Sequence, residues 1–153
     1  MMLLATVTEG ITTEHLAQVY TDPYIARVGH DHRASAPVFH VNATYLSAWY
    51  GGVFCGAFLA IRQSPVELEL HSLLQRSAVM QSRDLGKAFL SWAFDMPILR
   101  VTAYIIQGLE SARNYCLKLG FKHEGTRRSA CMQGGRVKDI YCLGMTRDDW
   151  STK

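Results

Sequence analysis

Residues 66–74 read VELELHSLL, and their alternation constrains the fold more than any other stretch of the chain. Val66, Leu68 and Leu70 fall on one parity; Glu67, Glu69 and His71 fall on the other. That is the period-two pattern of a strand with one face buried and the other polar. A helix would spread the same residues around its circumference. The stretch that follows, QSRDLGKAFLSWAF, has no such alternation: residues 81–85 read as a turn-like connection, with a helix from Gly86 to about Phe94. A half-polar strand running into an apolar helix requires a sheet and at least one further layer packed on it.

The rest of the chain supplies those layers. Residues 3–8 are a candidate first strand, and Thr12 is placed to cap a helix in which Leu16, Val19 and Tyr20 share a face. Asp22-Pro23 starts a second helix, with the aspartate as cap and the proline at the first helical position. Residues 29–40, GHDHRASAPVFH, read as a loop. The β-rich runs ATYLSAWY and VFCGAFLAI are joined by Gly51-Gly52, which supplies the positive φ of a tight hairpin. After Pro97 come a strand, ILRVTAYII, and a short helix, ESARNYCLKLG, which Gly120 closes as a left-handed cap. The tail forms two strands around Gly134-Gly135. The order predicts a single domain over residues 1–153, an α+β fold with a mixed sheet and helices on both faces.

Composition narrows the classes. At 153 residues and 48% apolar content the chain is sized for one core, and a formal charge of +3 demands neither nucleic acid nor a membrane as partner. Cys55, Cys116, Cys131 and Cys142 are scattered with no C-x-x-C pair, which points to free thiols in a reducing cytosol. The start, MMLLATVTEG, lacks a basic region and a long apolar run, so neither a signal peptide nor a spanning helix is expected, and the protein reads as soluble and cytoplasmic. His30, His32 and His40 lie close in sequence, but no cysteine or second spaced pair completes a zinc signature; loop histidines and no metal are expected. The basic stretch 113–138 offers contacts to RNA, a ribosome or a phosphate, while its ordinary reading is solvated strand and helix faces. Trp49, Trp92 and Trp150 are expected in core or edge packing.

Four of these words together resemble the GNAT acetyltransferase superfamily: the hairpin after the N-terminal helices, VELELHSLL followed by QSRDLGKAF, the helix ARNYCLKLGFKHEG, and the ending YCLGMTRDDW, which is similar to the RimJ/RimL-like branch. They span about Thr44 to Trp150. The resemblance implies a mostly antiparallel central sheet of about six or seven strands and an acetyl-CoA-dependent N-acetyltransferase. Its acceptor would be a small-molecule amine or a protein N-terminus. The style of the chain is also similar to phage-encoded GNAT-like proteins of head assembly or the virion. That implies, as an alternative, a catalytically degenerate protein with phage structural proteins as partners, located in the host cytoplasm or the virion.

The resemblance also assigns candidate residues. The acyl-CoA-binding motif, usually Q/R-x-x-G-x-G/A, falls on Gln81, Ser82, Arg83, Asp84 and Gly86, with Leu73 and Lys87 flanking it. A helix N-terminus attracts phosphate, and small residues let the backbone approach it. Asp84 departs from the middle glycine and brings a β-carbon and a negative charge; facing a bound anion it would cost on the order of 1 kcal/mol or more, and pointing outward almost nothing. On VELELHSLL, the residues Glu69 and His71, with Glu67 beside them, are positioned as general bases, or form an ordinary solvent-facing polar stripe. The later helix often carries a tyrosine acid where this chain has Cys116, with Tyr115 one residue earlier, and an asparagine where it has Leu109. Cys116 is a weak proton donor or plain core filling.

Overall fold

The computed structural model describes residues 3–27 and 42–152. The expected histidine group at His30, His32 and His40, and the loop that holds it, lie outside the described residues. Among the described residues seven strands form a single sheet in the order β1-β2-β3-β4-β5-β7-β6. They are β1 (Ala5–Glu9), β2 (Ala43–Tyr50), β3 (Val53–Ser64), β4 (Glu67–Leu74), β5 (Arg100–Ile106), β6 (Lys122–Gln133) and β7 (Arg136–Thr146). All neighbours are antiparallel except β4 and β5, as a mixed sheet requires. The two glycine pairs close the hairpins as expected, Gly51 and Gly52 with φ of 57° and 80°.

Helices α1 (Thr13–Thr21) and α2 (Pro23–Ala26) are capped by the expected residues. Thr12 Oγ1 accepts from the His15 amide at 3.1 Å, and Asp22 Oδ1 accepts from Tyr24 at 2.8 Å. Leu16, Val19 and Ile25 of these helices bury against Tyr45, Ala57, Leu59 and Leu73 on one face of the sheet. The opposite face carries the larger core, where α3 (Ser82–Phe94) and α4 (Glu110–Leu119) cover Leu46, Phe58, Leu68, Leu70, Val101 and Leu143. Phe89 packs its ring 5.1 Å from that of Phe58, both fully buried. Burial of a side chain of that size is worth about 1.5–3 kcal/mol.

Two helical segments depart from the expectation. α3 begins at Ser82, four residues before Gly86, and a 3-10 turn, Arg76–Gln81, leads directly into it. Residues 81–85 are therefore helix rather than connecting loop. Ser-Arg-Asp-Leu contains no breaker, and an aspartate in the first turn suits the positive end of the helix dipole. The second is α5 (Arg147–Ser151), whose capping box is formed by Thr146 and Asp149. Arg147 donates to the carbonyls of Phe94, at 3.0 Å, Ile98, at 2.9 Å, and Met96, fastening the end of α3.

Candidate functional site

β4 and β5 are held together by three registered pairs, Glu67 with Arg100, Leu68 with Val101 and Glu69 with Thr102. Beyond them β4 continues to Leu74 and β5 to Ile106 without further pairing, so the two parallel strands part. The alternation of VELELHSLL decides what flanks the gap. Leu68 and Leu70 enter the core under α3 and α4, while Glu67, Glu69 and His71 point to the other face. That face is joined by Arg100, Thr102 and Tyr104 of β5, Glu124 and Arg127 of β6, and Cys142 of β7.

Two hydrogen-bonded chains organise this face. In one, Gln63 Nε2 donates to Glu69 Oε1 at 2.9 Å, and His71 Nε2 meets Glu69 Oε2 at 2.5 Å. In the other, Thr102 donates to Glu67 at 2.6 Å and accepts from Arg100 Nε at 3.0 Å, while Arg100 forks onto both carboxylate oxygens of Glu124 at 2.5 and 3.3 Å. The Glu124 hydrogen bond raises the Arg100 pKa further above its ordinary value, so its charge is permanent. A methyl group at Gly144 would lie 2.3 Å from Arg100 Nη2 and 2.4 Å from Glu124 Oε1; the glycine gives this ion pair its passage over β7. Burial, then Cys142 and the two β4 glutamates, raise the Tyr104 phenol.

Around the start of α3, Arg83, Asp84 and Lys87 are exposed and Gln81 and Ser82 half-buried. Asp84 sits in the first helical turn with its side chain exposed, on the same stretch as the exposed Arg83 and Lys87. Ser82 Oγ donates to the Val79 carbonyl at 2.8 Å and holds the 3-10 turn to the helix. Leu73 buries its side chain against α1, leaving only its backbone toward the gap side of β4. Gly86 is buried in the contact between α3 and α4: a β-carbon there would lie 2.5 Å from Tyr115 Oη and 2.7 Å from Leu119 Cδ1. Tyr115 Oη is buried and makes no hydrogen bond among the described residues. Burial pushes its phenol far up; the Ser72 side chain of β4 offsets this in part without reaching hydrogen-bond geometry. Cys116 lies in the core, its thiol pushed up to about 12 by burial, and so stays protonated.

The structure thus brings Glu69 and His71 together and places Cys116 on the opposite, core side of the sheet. Gln63 and Thr102 were not singled out from the sequence. Gln63 is the extra residue of a β-bulge between Arg62 and Ser64, an irregularity that leaves no pattern in QSP. Trp49 stands away from the gap, edge-on to His15 and Phe54, while Trp92 donates to Glu9 and Trp150 stacks on Phe94. Among the described residues no group of three or more His, Cys, Asp or Glu could hold a metal ion, and no helix is long and apolar enough to cross a membrane.

A seven-stranded, mostly antiparallel sheet with one parallel pair that splays, and with helices on both faces, is the fold of the GNAT acetyltransferases. The individual likenesses are extensive. Spermidine N-acetyltransferase from Vibrio cholerae, solved with CoA and spermine, matches with a TM-score of 0.81 over 96% of this chain and 98% of that one, at 12% identity. A probable GNAT-family acetyltransferase from Chromobacterium violaceum matches at 0.79 over 97% and 85%, at 15% identity. A probable acetyltransferase from Staphylococcus epidermidis matches at 0.70 over 95% and 99%, at 10% identity. No protein-family model and no curated protein sequence matches the chain. At such identities what is shared is the fold, and activity has to be argued from the site.

Proposed function

We propose that the protein is an acetyl-CoA-dependent N-acetyltransferase acting on an amine, either a small molecule or a protein N-terminus. The observation that carries this reading is the parting of β4 and β5 after Glu69 and Thr102, with a carboxylate-bearing face on one side and the start of α3 at the open end. The residues suit an acyl-CoA. Arg83 and Lys87 give exposed positive charge beside a helix N-terminus, which favours phosphates, against the single opposing charge of the exposed Asp84. Backbone of β4 past Glu69, unpaired on the β5 side, is a strand edge along which an extended chain can lie. Bound there, the cofactor would supply an activated acetyl thioester. The protein's own part is to receive the amine on the face beside the gap, where Glu69 carries a carboxylate that Arg100 does not pair, and to take its proton at a β4 side chain. Cys116 and Tyr115 both remain protonated, so neither serves as the base.

The test is thermal unfolding with and without acetyl-CoA, with ATP as the anion control. Ligand at a hundred times its dissociation constant adds about 2.7 kcal/mol of stability, a visible shift. Asp84→Gly is expected to bind no more weakly than the wild type. No shift at millimolar acetyl-CoA would overturn the transferase and favour the assembly reading, in which the chain associates stably with other proteins of its source.

A further inference from the structure

Resting on the transferase reading, we infer that His71 Nδ1 is the atom that takes the acceptor's proton, and that Glu69 and Gln63 are positioning residues that aim it. Three side chains of β4 stand on this face as potential bases, Glu67 and Glu69 within the paired seam and His71 beside the gap, and the structure treats them differently. Glu67 is engaged by Thr102 at 2.6 Å, with the permanently charged Arg100 at 3.7 Å. Glu69 is 16% exposed and both its oxygens are occupied, Oε1 by Gln63 and Oε2 by His71. His71 is 40% exposed, and its second ring nitrogen has no partner among the described residues.

The chemistry of the pair fixes which nitrogen does what. An ionised carboxylate only accepts hydrogen bonds, so Nε2 must carry the hydrogen directed at Glu69, and Nδ1 is left with its lone pair. This is the arrangement in which a carboxylate orients an imidazole and selects its tautomer. The Gln63 amide, held in the bulge of β3, fixes Oε1 and so turns Oε2 toward the ring. When a protonated amine docks on this face, its N–H bond breaks, the electron pair stays on nitrogen and the proton goes to Nδ1. The imidazolium that forms has its charge against Glu69. The exposed edge of the ring then returns the proton to solvent.

The tautomer is measurable without cofactor or acceptor. In nitrogen-labelled protein at about pH 9, where an ordinary imidazole is neutral, long-range proton–nitrogen correlations distinguish the two tautomers. His71→Gln identifies the signal by its loss. The expected result is a predominantly Nε2–H ring in the wild type, mixed tautomers in Glu69→Ala, and a partial shift in Gln63→Leu. A wild-type Nδ1–H ring, or a ring indifferent to both substitutions, overturns the inference. Gln63 is exposed, so its replacement should leave the melting temperature nearly unchanged. In an acetyl-transfer assay Gln63→Leu should lower kcat about 10-fold with KM for acetyl-CoA unchanged, and His71→Gln should lower kcat by 10²-fold or more. Full turnover in His71→Gln overturns the proton-accepting role. Failure of the wild type to be stabilised by acetyl-CoA counts against the transferase itself and is read independently of the ring.

Discussion

Gly86 stands at the last position of the expected acyl-CoA-binding motif, yet its immediate neighbours are Tyr115 and Leu119 of α4 rather than open space. Two effects oppose each other when it becomes alanine. A mid-helix alanine gains up to about 1 kcal/mol over glycine, whereas overlap in a packed contact costs about 1–3 kcal/mol. With Leu119 fully buried and the Tyr115 hydroxyl enclosed, neither side chain can simply swing aside, so overlap wins, and Gly86→Ala is expected to lower stability to urea by about 1 kcal/mol or more. Tyr115→Phe removes both the nearest overlapping atom and a buried hydroxyl with no partner. Alone it should be neutral or stabilising by up to about 1 kcal/mol. In combination it should recover part of the loss, a coupling of about 0.5 kcal/mol or more. A destabilised Tyr115→Phe would show that the hydroxyl has a partner after all. Asp84 shows a second balance: exposed in the first turn of α3, its negative charge favours the helix at a position where a glycine would suit a phosphate better.

The elements themselves divide into those that local chemistry announces and those that only tertiary contacts reveal. Caps at Thr12 and Asp22, the glycine turns and the alternation of β4 were legible because each rests on a few neighbouring residues. The early start of α3 has no local signal, because Gln81 makes no side-chain cap and a 3-10 turn leads straight into the helix. The bulge that brings Gln63 to Glu69 depends on how β3 and β4 register, which no single strand encodes. α5 carries a local signal, the T-x-x-D of Thr146 and Asp149, within a tail that otherwise reads as strand. Its box makes a pH prediction. The Thr146 amide, then Lys122, hold the Asp149 carboxyl down at about 2. A carboxyl depressed in the folded state stabilises the protein above its unfolded value near 4, and that contribution fades as pH falls through the folded value. The stability gap between wild type and Asp149→Asn should therefore be widest above pH 4 and close toward pH 2 in urea titrations. A gap that persists unchanged at pH 2 would assign the effect to the amide substitution rather than to charge. Thr146→Ala, which removes the reciprocal hydrogen bond at 3.1 Å, is expected to cost about 1 kcal/mol at neutral pH.

At the scale of the whole molecule, the sheet is two antiparallel blocks, β1 to β4 and β5 to β7, and their seam is the three β4–β5 pairs. A seam that short would be weak on backbone hydrogen bonds alone. It is reinforced on one face by the large core, in which α3 and α4 touch both blocks through Phe58, Phe89, Leu119 and Leu143. On the other face the Glu67–Thr102–Arg100–Glu124 chain crosses β4, β5 and β6. The fold therefore keeps the blocks together while leaving the far part of the seam unzipped, an arrangement that costs backbone hydrogen bonds unless something completes them. Hydrogen exchange can read this directly. Amides of residues 70–74 that point toward β5 should exchange faster in the free protein than those pointing toward β3, whose partners are the registered pairs from Gly56 to Ala60. If the gap is the seat of an acyl-CoA, saturating acetyl-CoA should slow the first set and leave the second unchanged, since only the first gains partners. Equal protection of both sets on binding would mean that the ligand tightens the whole molecule from elsewhere. Protection confined to the start of α3 would restrict the site to phosphate binding and remove the gap from it.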